Sequence, residues 1–292
     1  MVSATWVRPS FAPLETEGGA MGIELVSQAV TADFFQARDD TVVTWLGMAG
    51  ALVNVRGTII FIDPLLTVIE KEGERLSETG HRFRISLPLE AAQVPKADAV
   101  LYTHGDGDHM AVPTARTLDR LKPTFVATEA VQKKMAEVAI EPRRLRTAQP
   151  GRRFTIGAAR IEVTPALHDW PGGPWTAADC CGYVIRTPDG SIWHPGDTRL
   201  IEPLLEVKDI DVLFFDVAAV SAHLGPEGSA RLARSSGAKV MLAYHYGTYD
   251  MPLGSWGNCD PADALPHVRD LSARLLTPNP GQPLRLPLAS SM

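Results

Sequence analysis

Short β-rich runs recur along the chain, and five of them are followed directly by a histidine or an aspartate. The runs TIIFI, DAVLYT, ARIEVTPAL, SIW and KVMLAY lead into Asp63, His104, His168, His194 and His245. Loops that follow strands carry the reactive residues of many folds. Because His and carboxylate side chains are the usual ligands of zinc and of harder divalent ions, the pattern predicts a metal site built from strand-end loops.

The segments around these runs alternate between strand and helix signals. Arg56-Gly57 and Pro188-Asp189-Gly190 each lie between two β-rich runs and predict hairpin turns. The polar stretch Glu70–Arg84 is typical of a loop or lid. Three further segments have helical patterns with suitable first-turn residues: Pro113–Leu121, Glu129–Val138 and Pro226–Ser236. The pattern predicts an α/β or α+β protein with about a dozen short strands.

Charge and composition exclude several classes of protein. The 292 residues include 28 Lys and Arg against 34 Asp and Glu, which gives a formal net charge of −6. A general nucleic-acid-binding protein usually has a basic excess, so we predict no nucleic-acid partner. The hydrophobic share of 45% and the charged share of 21% are those of a globular protein rather than a disordered one.

No run predicts a transmembrane helix or a secretory signal. The longest uncharged run, 41–55, is interrupted by Gly47 and Gly50 and is shorter than the ~20 apolar residues that span a bilayer. The three cysteines, an odd and sparse set, predict no disulfide framework and favour a cytoplasmic location. We divide the chain into an N-terminal extension, 1–40, with one short helix near Ile23–Ala37, and a domain, 41–292.

The densest group of candidate ligands is the segment HGDGDH, residues 104–109. Four metal-binding side chains fall within six residues, and the two glycines let the backbone turn sharply enough to direct them inward. Gly and Asp also favour ordinary polar turns, so this segment alone leaves that alternative open. The histidines and aspartates that follow the later strands favour the metal site.

HGDGDH is similar to the H-x-H-x-D-H signature of hydrolases with the metallo-β-lactamase fold. His168, Asp197 and His245 match later motifs of that superfamily in order and context. The resemblance covers about residues 41–287 and implies an αββα four-layer sandwich. The surroundings, including WLGMAGALV, FIDP, HPGDT and AYHYGTY, resemble the branch that contains ascorbate-phosphate lactonase, and more distantly the phospholipase D that cleaves N-acyl phosphatidylethanolamines.

The resemblance implies a site for two divalent metal ions, with zinc or manganese favoured over iron. Asp197 would bridge the two ions, and Asp63 would orient the HGDGDH loop without binding metal. The implied ligands are His104, Asp106 and His168 for the first ion, and Asp108, His109 and His245 for the second.

Asp106 departs from the family pattern, which usually has His at this position. It is either a ligand, as the Glu of flavodiiron proteins is at this position, or too short to reach the metal. As a ligand, Asp106 would join Asp108, Asp197 and a bridging hydroxide to neutralise two divalent cations. A neutral site attracts a dianionic phosphate less strongly, so we expect a neutral ester, lactone or amide, or a singly charged diester, as the reacting group.

Asp108 and His223 are the candidates for protonating the leaving group. Trp170 and Trp175 flank a Gly-Gly pair directly after His168, and are typical either of a substrate pocket on a flexible loop or of a minor core. His194 is either a partner of the metal ligands or an ordinary hydrogen-bonded histidine.

These features predict a metal-dependent hydrolase, most like the lactonase branch, that acts on a small molecule. One alternative on the same metals is a phosphodiesterase or phospholipase D-like enzyme. Another is a non-haem di-iron redox enzyme, which a carboxylate at position 106 would suit. A binding protein with a degenerate site is disfavoured because the six other implied ligands are all retained. The resemblance also makes a homo-oligomer possible.

Overall fold

A computed structural model of the protein describes residues 24–271 and 274–288. Two seven-stranded mixed sheets dominate it, with strands numbered along the chain. The first sheet has the order β16-β1-β2-β3-β6-β7-β8. Its strands are β1 (Thr41–Gly47), β2 (Gly50–Val55), β3 (Thr58–Ile62), β6 (Ala99–Leu101), β7 (Thr124–Ala127), β8 (Leu145–Thr147) and β16 (Pro283–Leu286).

The second sheet has the order β15-β14-β13-β12-β11-β10-β9. Its strands are β9 (Arg153–Ile156), β10 (Ala159–Pro165), β11 (Cys181–Thr187), β12 (Gly190–His194), β13 (Val212–Asp216), β14 (Val240–Tyr244) and β15 (Leu275–Leu276). A separate small hairpin pairs β4 (Ile69–Lys71) with β5 (Glu74–Leu76). This hairpin lies inside the polar stretch that was predicted to be a loop or lid.

Helices cover the outer faces of both sheets. The α-helices are α1 (Val112–Leu118), α2 (Glu129–Met135) and α3 (Gly225–Ser236). Short 3-10 helices span Ala32–Phe35, Ala91–Gln93, Asp119–Leu121, Ala136–Val138, Pro142–Arg144, Glu202–Glu206 and Pro261–His267. Apolar residues of α1 and α2 form one core with the first sheet, and those of α3 pack against β13 of the second. The four-layer αββα sandwich is therefore confirmed.

The largest apolar cluster lies between the two sheets. It contains fully buried aromatic residues from both of them, including Trp45, Tyr183 and Trp193. All seven residues of β1 are buried, because this strand is covered by the second sheet on one face and by the outer layer on the other. Burial on both faces explains why such strands are continuous apolar runs without alternation.

Most of the predicted elements are present. Arg56 and Gly57 form the turn between β2 and β3 with φ angles of 51° and 96°, which is the left-handed geometry of a tight hairpin. The turn at 188–190 joins β11 and β12, and the three predicted helices correspond to α1, α2 and α3. The structure adds β8 and β15, which the sequence did not predict.

The helix predicted over Ile23–Ala37 is wrong for the described residues 24–37. Only a single 3-10 turn, Ala32–Phe35, is present. Residues 24–31 form neither helix nor strand, and the backbone N–H groups of Gln28 and Val30 donate to carbonyl oxygens of Pro280 and Pro88. Bonds to distant segments replace the local bonds that a helix would need. The boundary at residue 40 stays a prediction.

Within residues 24–271 and 274–288, none of the helices has the length and apolar character needed to cross a membrane.

Strand direction positions the site. β3 runs parallel to β6 in the first sheet, and β12, β13 and β14 run parallel to one another in the second. β10 and β12 are both antiparallel to β11, so they share that direction. The carboxyl ends of these strands therefore meet at one edge of the sandwich. Asp63 and His245, directly after β3 and β14, have left-handed φ angles of 43° and 65°, so the chain turns sharply as it enters the site.

Candidate metal centre

The HGDGDH loop follows β6 and turns back on itself. The backbone N–H groups of His109 and Met110 both donate to the carbonyl oxygen of Asp106, at 3.0 and 2.7 Å. Lys134 of α2 donates from Nζ to the carbonyl oxygens of Gly105 (3.0 Å) and Met110 (2.8 Å). These bonds fix the loop at both ends, with His104, Asp108 and His109 buried and the Asp106 side chain 31% exposed.

The first cluster of candidate ligands contains His104, Asp106 and His168. Oδ2 of Asp106 lies 3.2 Å from Nε2 of His104 and 3.6 Å from Nε2 of His168. Ligand atoms ~2.1 Å from a tetrahedral metal ion are about 3.4 Å from one another. The spacing therefore fits a shared cation. Ligand atoms of His104, His168 and Asp197 also lie within 4.8 Å of one another.

The second cluster contains Asp108, His109 and His245, whose ligand atoms lie within 4.8 Å of one another. Nε2 of His109 is 3.1 Å from Oδ2 of Asp197, and Nε2 of His245 is 3.4 Å from Oδ1 of Asp197. The two oxygens of Asp197 thus contact the second cluster while the same side chain belongs to the first. The seven predicted ligands come together as two groups that share one carboxylate.

Two buried atoms at this centre have no hydrogen-bond partner among the described residues. They are Oδ1 of Asp197 and Nε2 of His245. Buried polar atoms in native proteins nearly always have a partner, and an unpaired one is costly. A cation between these atoms would satisfy both, so the residues present fit a metal ion.

Further residues orient the imidazoles through their other ring nitrogen. Asp63 is fully buried, and its Oδ2 lies 2.8 Å from Nδ1 of His109. The backbone N–H and the hydroxyl of Thr103 donate to the same carboxylate, at 2.8 and 2.5 Å. Nδ1 of His168 donates to the carbonyl oxygen of Ala222 at 3.0 Å. Such bonds direct Nε2 of each ring toward a metal.

Asp216, at the end of β13, is a site residue that the sequence analysis missed. Its fully buried carboxylate accepts hydrogen bonds from Nδ1 of His245 (2.9 Å) and Nδ1 of His223 (3.1 Å). Burial raises the pKa of Asp216, but the two imidazoles outweigh it and keep the pKa below its usual value. The signal was available, because Asp216 follows the apolar run VLFF as the other site residues follow theirs.

The structure brings His223 into the same centre. Its Nε2 lies 3.4 Å from Oδ2 of Asp197, and its side chain is nearly buried. Burial alone would lower the pKa of His223, but the carboxylates of Asp197 and Asp216 raise it to about 9. His223 is therefore oriented at Nδ1 by Asp216, while its Nε2 faces the candidate ligand Asp197.

The electrostatics of the centre favour positive charge. Burial lowers the pKa of His109, but the carboxylates of Asp197, Asp108 and Asp63 outweigh burial and raise the pKa well above its ordinary value. Burial raises the pKa of Asp197, and the neighbouring imidazoles lower it well below the usual range. The clustered carboxylates thus stabilise protons here and would equally stabilise metal cations.

His194 lies apart from the metal residues. Its Nε2 donates to the carbonyl oxygen of Ala49 at 2.9 Å, and its Nδ1 accepts from the N–H of Gly196 at 3.2 Å. The ring stacks on Phe214 with centroids 4.8 Å apart. Of the two readings of His194, the geometry supports the hydrogen-bonded structural histidine.

A cleft of about 460 Å³ opens beside the candidate ligands. Asp106, Asp108, His168, Asp197 and His223 form its floor, and Trp170, Val220 and Trp256 form apolar walls. None of the described lining residues is lysine or arginine.

The two tryptophan walls are held by different neighbours. Trp170 meets His168 edge to face at 4.8 Å, and Trp256 packs on His81 at 5.1 Å. Trp175, the other candidate for a pocket wall, is not among the described residues that line the cleft. Its indole N–H donates to Oδ1 of Asp106 at 2.9 Å instead.

Comparison with known proteins identifies the family. Residues 58–246 match the sequence model described as the Beta-lactamase superfamily domain. The chain belongs to the beta-lactamase superfamily. Among similar proteins, a UPF0173 metal-dependent hydrolase of Pyrobaculum neutrophilum is 28% identical over 251 residues, covering 84% of this chain and 99% of the relative. One from Methanoculleus marisnigri is 31% identical over 215 residues, covering 70% and 81%.

A solved structure agrees with the fold. Igni18, a metallo hydrolase of the hyperthermophilic archaeon Ignicoccus hospitalis, superposes with a TM-score of 0.64 at 17% identity, covering 85% of this chain and 99% of Igni18. The predicted family is thus confirmed. The family match and the similar proteins together indicate that this superfamily member is a metal-dependent hydrolase.

Proposed function

We propose that this superfamily member uses two divalent cations, zinc or manganese, to hydrolyse an uncharged ester, lactone or similar bond in a small molecule. The observation that carries the proposal is the pair of ligand clusters that share Asp197. Two of their buried ligand atoms, Oδ1 of Asp197 and Nε2 of His245, have no hydrogen-bond partner among the described residues.

Each cluster would hold one ion. The first ion would be bound by His104, Asp106 and His168, the second by Asp108, His109 and His245, and Asp197 would contact both. Divalent ions in such a site supply a nucleophile at neutral pH and polarise the bond that is cleaved. Asp63 and Asp216 keep the imidazoles of the second cluster in the orientation that binding requires.

His223 is the residue best placed to protonate the leaving group. Its Nδ1 is held by Asp216 at 3.1 Å, and the residue lines the cleft next to Asp197. An imidazole held at Nδ1 by a carboxylate can carry a proton on Nε2 and donate it to a departing oxygen or nitrogen. Asp108, the other candidate, also lines the cleft, but its carboxylate belongs to the second ligand cluster.

Charge supports an uncharged substrate. The carboxylates of Asp106, Asp108 and Asp197 offset most of the charge of two divalent cations. The described walls of the cleft add no lysine or arginine that would bind a phosphate or carboxylate group. Trp170, Val220 and Trp256 instead offer apolar surface next to the metal residues.

Metal analysis and a substrate panel test this function. Protein purified without added metal, then titrated, should bind two equivalents of zinc or manganese. It should hydrolyse neutral lactones and esters faster than phosphodiesters and much faster than phosphomonoesters. His223→Gln should lower kcat about 10²- to 10⁴-fold, the usual contribution of a general acid, while metal content is retained. His267→Ala, on a 3-10 helix outside the ligand clusters, is the control.

Three results would contradict the proposal. Fastest turnover of phosphomonoesters would contradict the uncharged substrate, and a preference for diesters would favour the phospholipase-like alternative. Two equivalents of iron with a visible absorption band, without hydrolysis, would favour the redox alternative.

A further inference from the structure

Trp175 makes a direct contact with a candidate ligand from a loop outside the HGDGDH segment. The residue lies between β10 and β11, and its indole N–H donates to Oδ1 of Asp106 at 2.9 Å. The other carboxylate oxygen, Oδ2, faces Nε2 of His104 and Nε2 of His168. The two oxygens of Asp106 therefore have separate partners: Oδ1 has the indole, and Oδ2 has the imidazoles of His104 and His168.

The indole ring is also seated against the HGDGDH backbone. A Cβ atom added to Gly105 would lie 2.5 Å from Cη2 of Trp175, which is closer than real Cβ atoms approach other atoms. The ring meets His104 edge to face, with centroids 6.1 Å apart. Glycine at 105 thus gives the indole the space it needs to reach Asp106.

We propose that Trp175 is a positioning residue that holds Asp106 as a ligand of the first metal ion, an inference that rests on the proposed two-metal function. Asp106 needs such a partner because its side chain is 31% exposed, whereas those of His104 and His168 are buried. The terminal torsion of a carboxylate is broad, and a hydrogen bond to one oxygen narrows it. The bond from Trp175 fixes Oδ1 and thereby directs Oδ2 toward the two imidazoles.

Trp175→Phe tests the inference because it keeps an aromatic ring against Gly105 and removes the N–H. Metal-free protein is titrated with Zn²⁺, and separately with Mn²⁺, in competition with a chromophoric chelator. In each titration the protein should bind two equivalents of metal. We expect the affinity of one of the two sites to fall about 10- to 100-fold, the usual effect of losing the partner of a metal ligand. The affinity of the other site should be unchanged.

Thr176→Val is the control. Thr176 is the next residue of the same loop, and its hydroxyl donates to Asp179, which is not a candidate ligand. This variant should bind both ions with wild-type affinity. Gly105→Ala approaches the contact from the other side, since its methyl group would displace the indole, and should show the same selective loss as Trp175→Phe.

A double-mutant cycle separates positioning from a general structural role. In the Asp106→Ala background, Trp175→Phe should cause no further loss of affinity, because the acceptor is already absent. Wild-type affinity for both ions in Trp175→Phe would overturn the inference and leave the two-metal function intact. The inference would also be overturned if Trp175→Phe lowered the affinity of both metal sites equally. It would be overturned as well if Trp175→Phe lowered the affinity as much in the Asp106→Ala background as in the wild type. Wild-type protein that binds no divalent ion would overturn both.

Discussion

Two buried histidines show how position decides protonation in this protein. His194 packs on Phe214 and hydrogen-bonds to backbone groups, and burial lowers its pKa to about 4. His223 is nearly as buried, but the carboxylates of Asp197 and Asp216 outweigh burial and raise its pKa to about 9. One imidazole is therefore neutral at pH 7, whereas the metal-free protein keeps the other charged.

The pKa of His194 predicts acid sensitivity. The unfolded chain binds a proton at this histidine below about pH 6.5, whereas the folded chain does so only near pH 4. Neutral His194 therefore makes its full contribution to the free energy of unfolding above about pH 6.5. This contribution is lost as the pH falls to about 4. His194→Gln should remove this component, so the metal-free wild type should lose about 3 kcal/mol more than the variant between pH 7 and pH 4.

Urea unfolding of both metal-free proteins at several pH values measures this difference. Titrating groups that do not interact with His194 contribute equally to wild type and variant. The comparison therefore reports His194 together with its electrostatic interactions with Asp63, His109 and Asp197. Parallel stability curves would contradict the prediction.

Among single residues, the sequence predicted those in recognisable motifs and missed those without one. HGDGDH, the strand-end histidines His168 and His245, and the aspartate of HPGDT give seven candidate ligands that the fold brings together. Asp216 was missed because a lone aspartate after an apolar strand resembles any strand end. Its role depends on a register that places it beside Tyr244, one residue before His245. The bond from Trp175 to Asp106 links residues 69 positions apart, and no local pattern encodes it.

At the scale of elements, α2 anchors the HGDGDH loop through a single side chain. Lys134 donates to the carbonyl oxygens of Gly105 and Met110, the residues that flank the turn. Periodicity predicted the helix itself, but its function as an anchor depends on a tertiary contact. Elsewhere tertiary contacts outweighed the local helix preference. In residues 24–31, backbone hydrogen bonds to Pro280 and Pro88 take the place of the hydrogen bonds of the expected helix.

Lys134→Met should lower the free energy of unfolding by about 1.5–3 kcal/mol, because it removes charge-assisted hydrogen bonds to partly buried carbonyl groups. Lys133→Met is a matched control, since Lys133 is the preceding residue of α2 and its side chain is exposed. Urea unfolding of the two metal-free variants measures the effect. Equal stabilities would contradict an anchoring role for Lys134.

For the whole molecule, the candidate ligands are divided between the two sheets. His104, Asp106, Asp108 and His109 follow β6 of the first sheet, whereas His168, Asp197 and His245 follow strands of the second. Metal ions bound there would join the two halves of the sandwich at one edge. The strand–helix pattern predicted an α/β or α+β protein, and the family resemblance implied the four layers. The pairing of β16 with β1 joins the two ends of the described chain and has no local signal.

Metal removal should therefore destabilise the whole domain. Free Zn²⁺ or Mn²⁺ at 100 times its Kd should stabilise the folded protein by about 2.7 kcal/mol for each ion that binds only the folded state. Thermal unfolding with metal and with excess chelator measures the gain. In Asp197→Ala, which lacks the carboxylate shared by both clusters, the gain should be much smaller. Identical melting temperatures with metal and with chelator would contradict the prediction.

The wall of the cleft that contains Trp256 rests on a small apolar cluster of its own. Phe83 and Tyr249 pair across this rim and pack with Met48 and Leu65, apart from the two large cores. Substitution of Phe83 or Tyr249 would change the packing behind Trp256, whereas the two sheets keep their own cores. Because this rim packs separately from the large cores, its side chains are the natural positions at which to engineer the shape of the cleft.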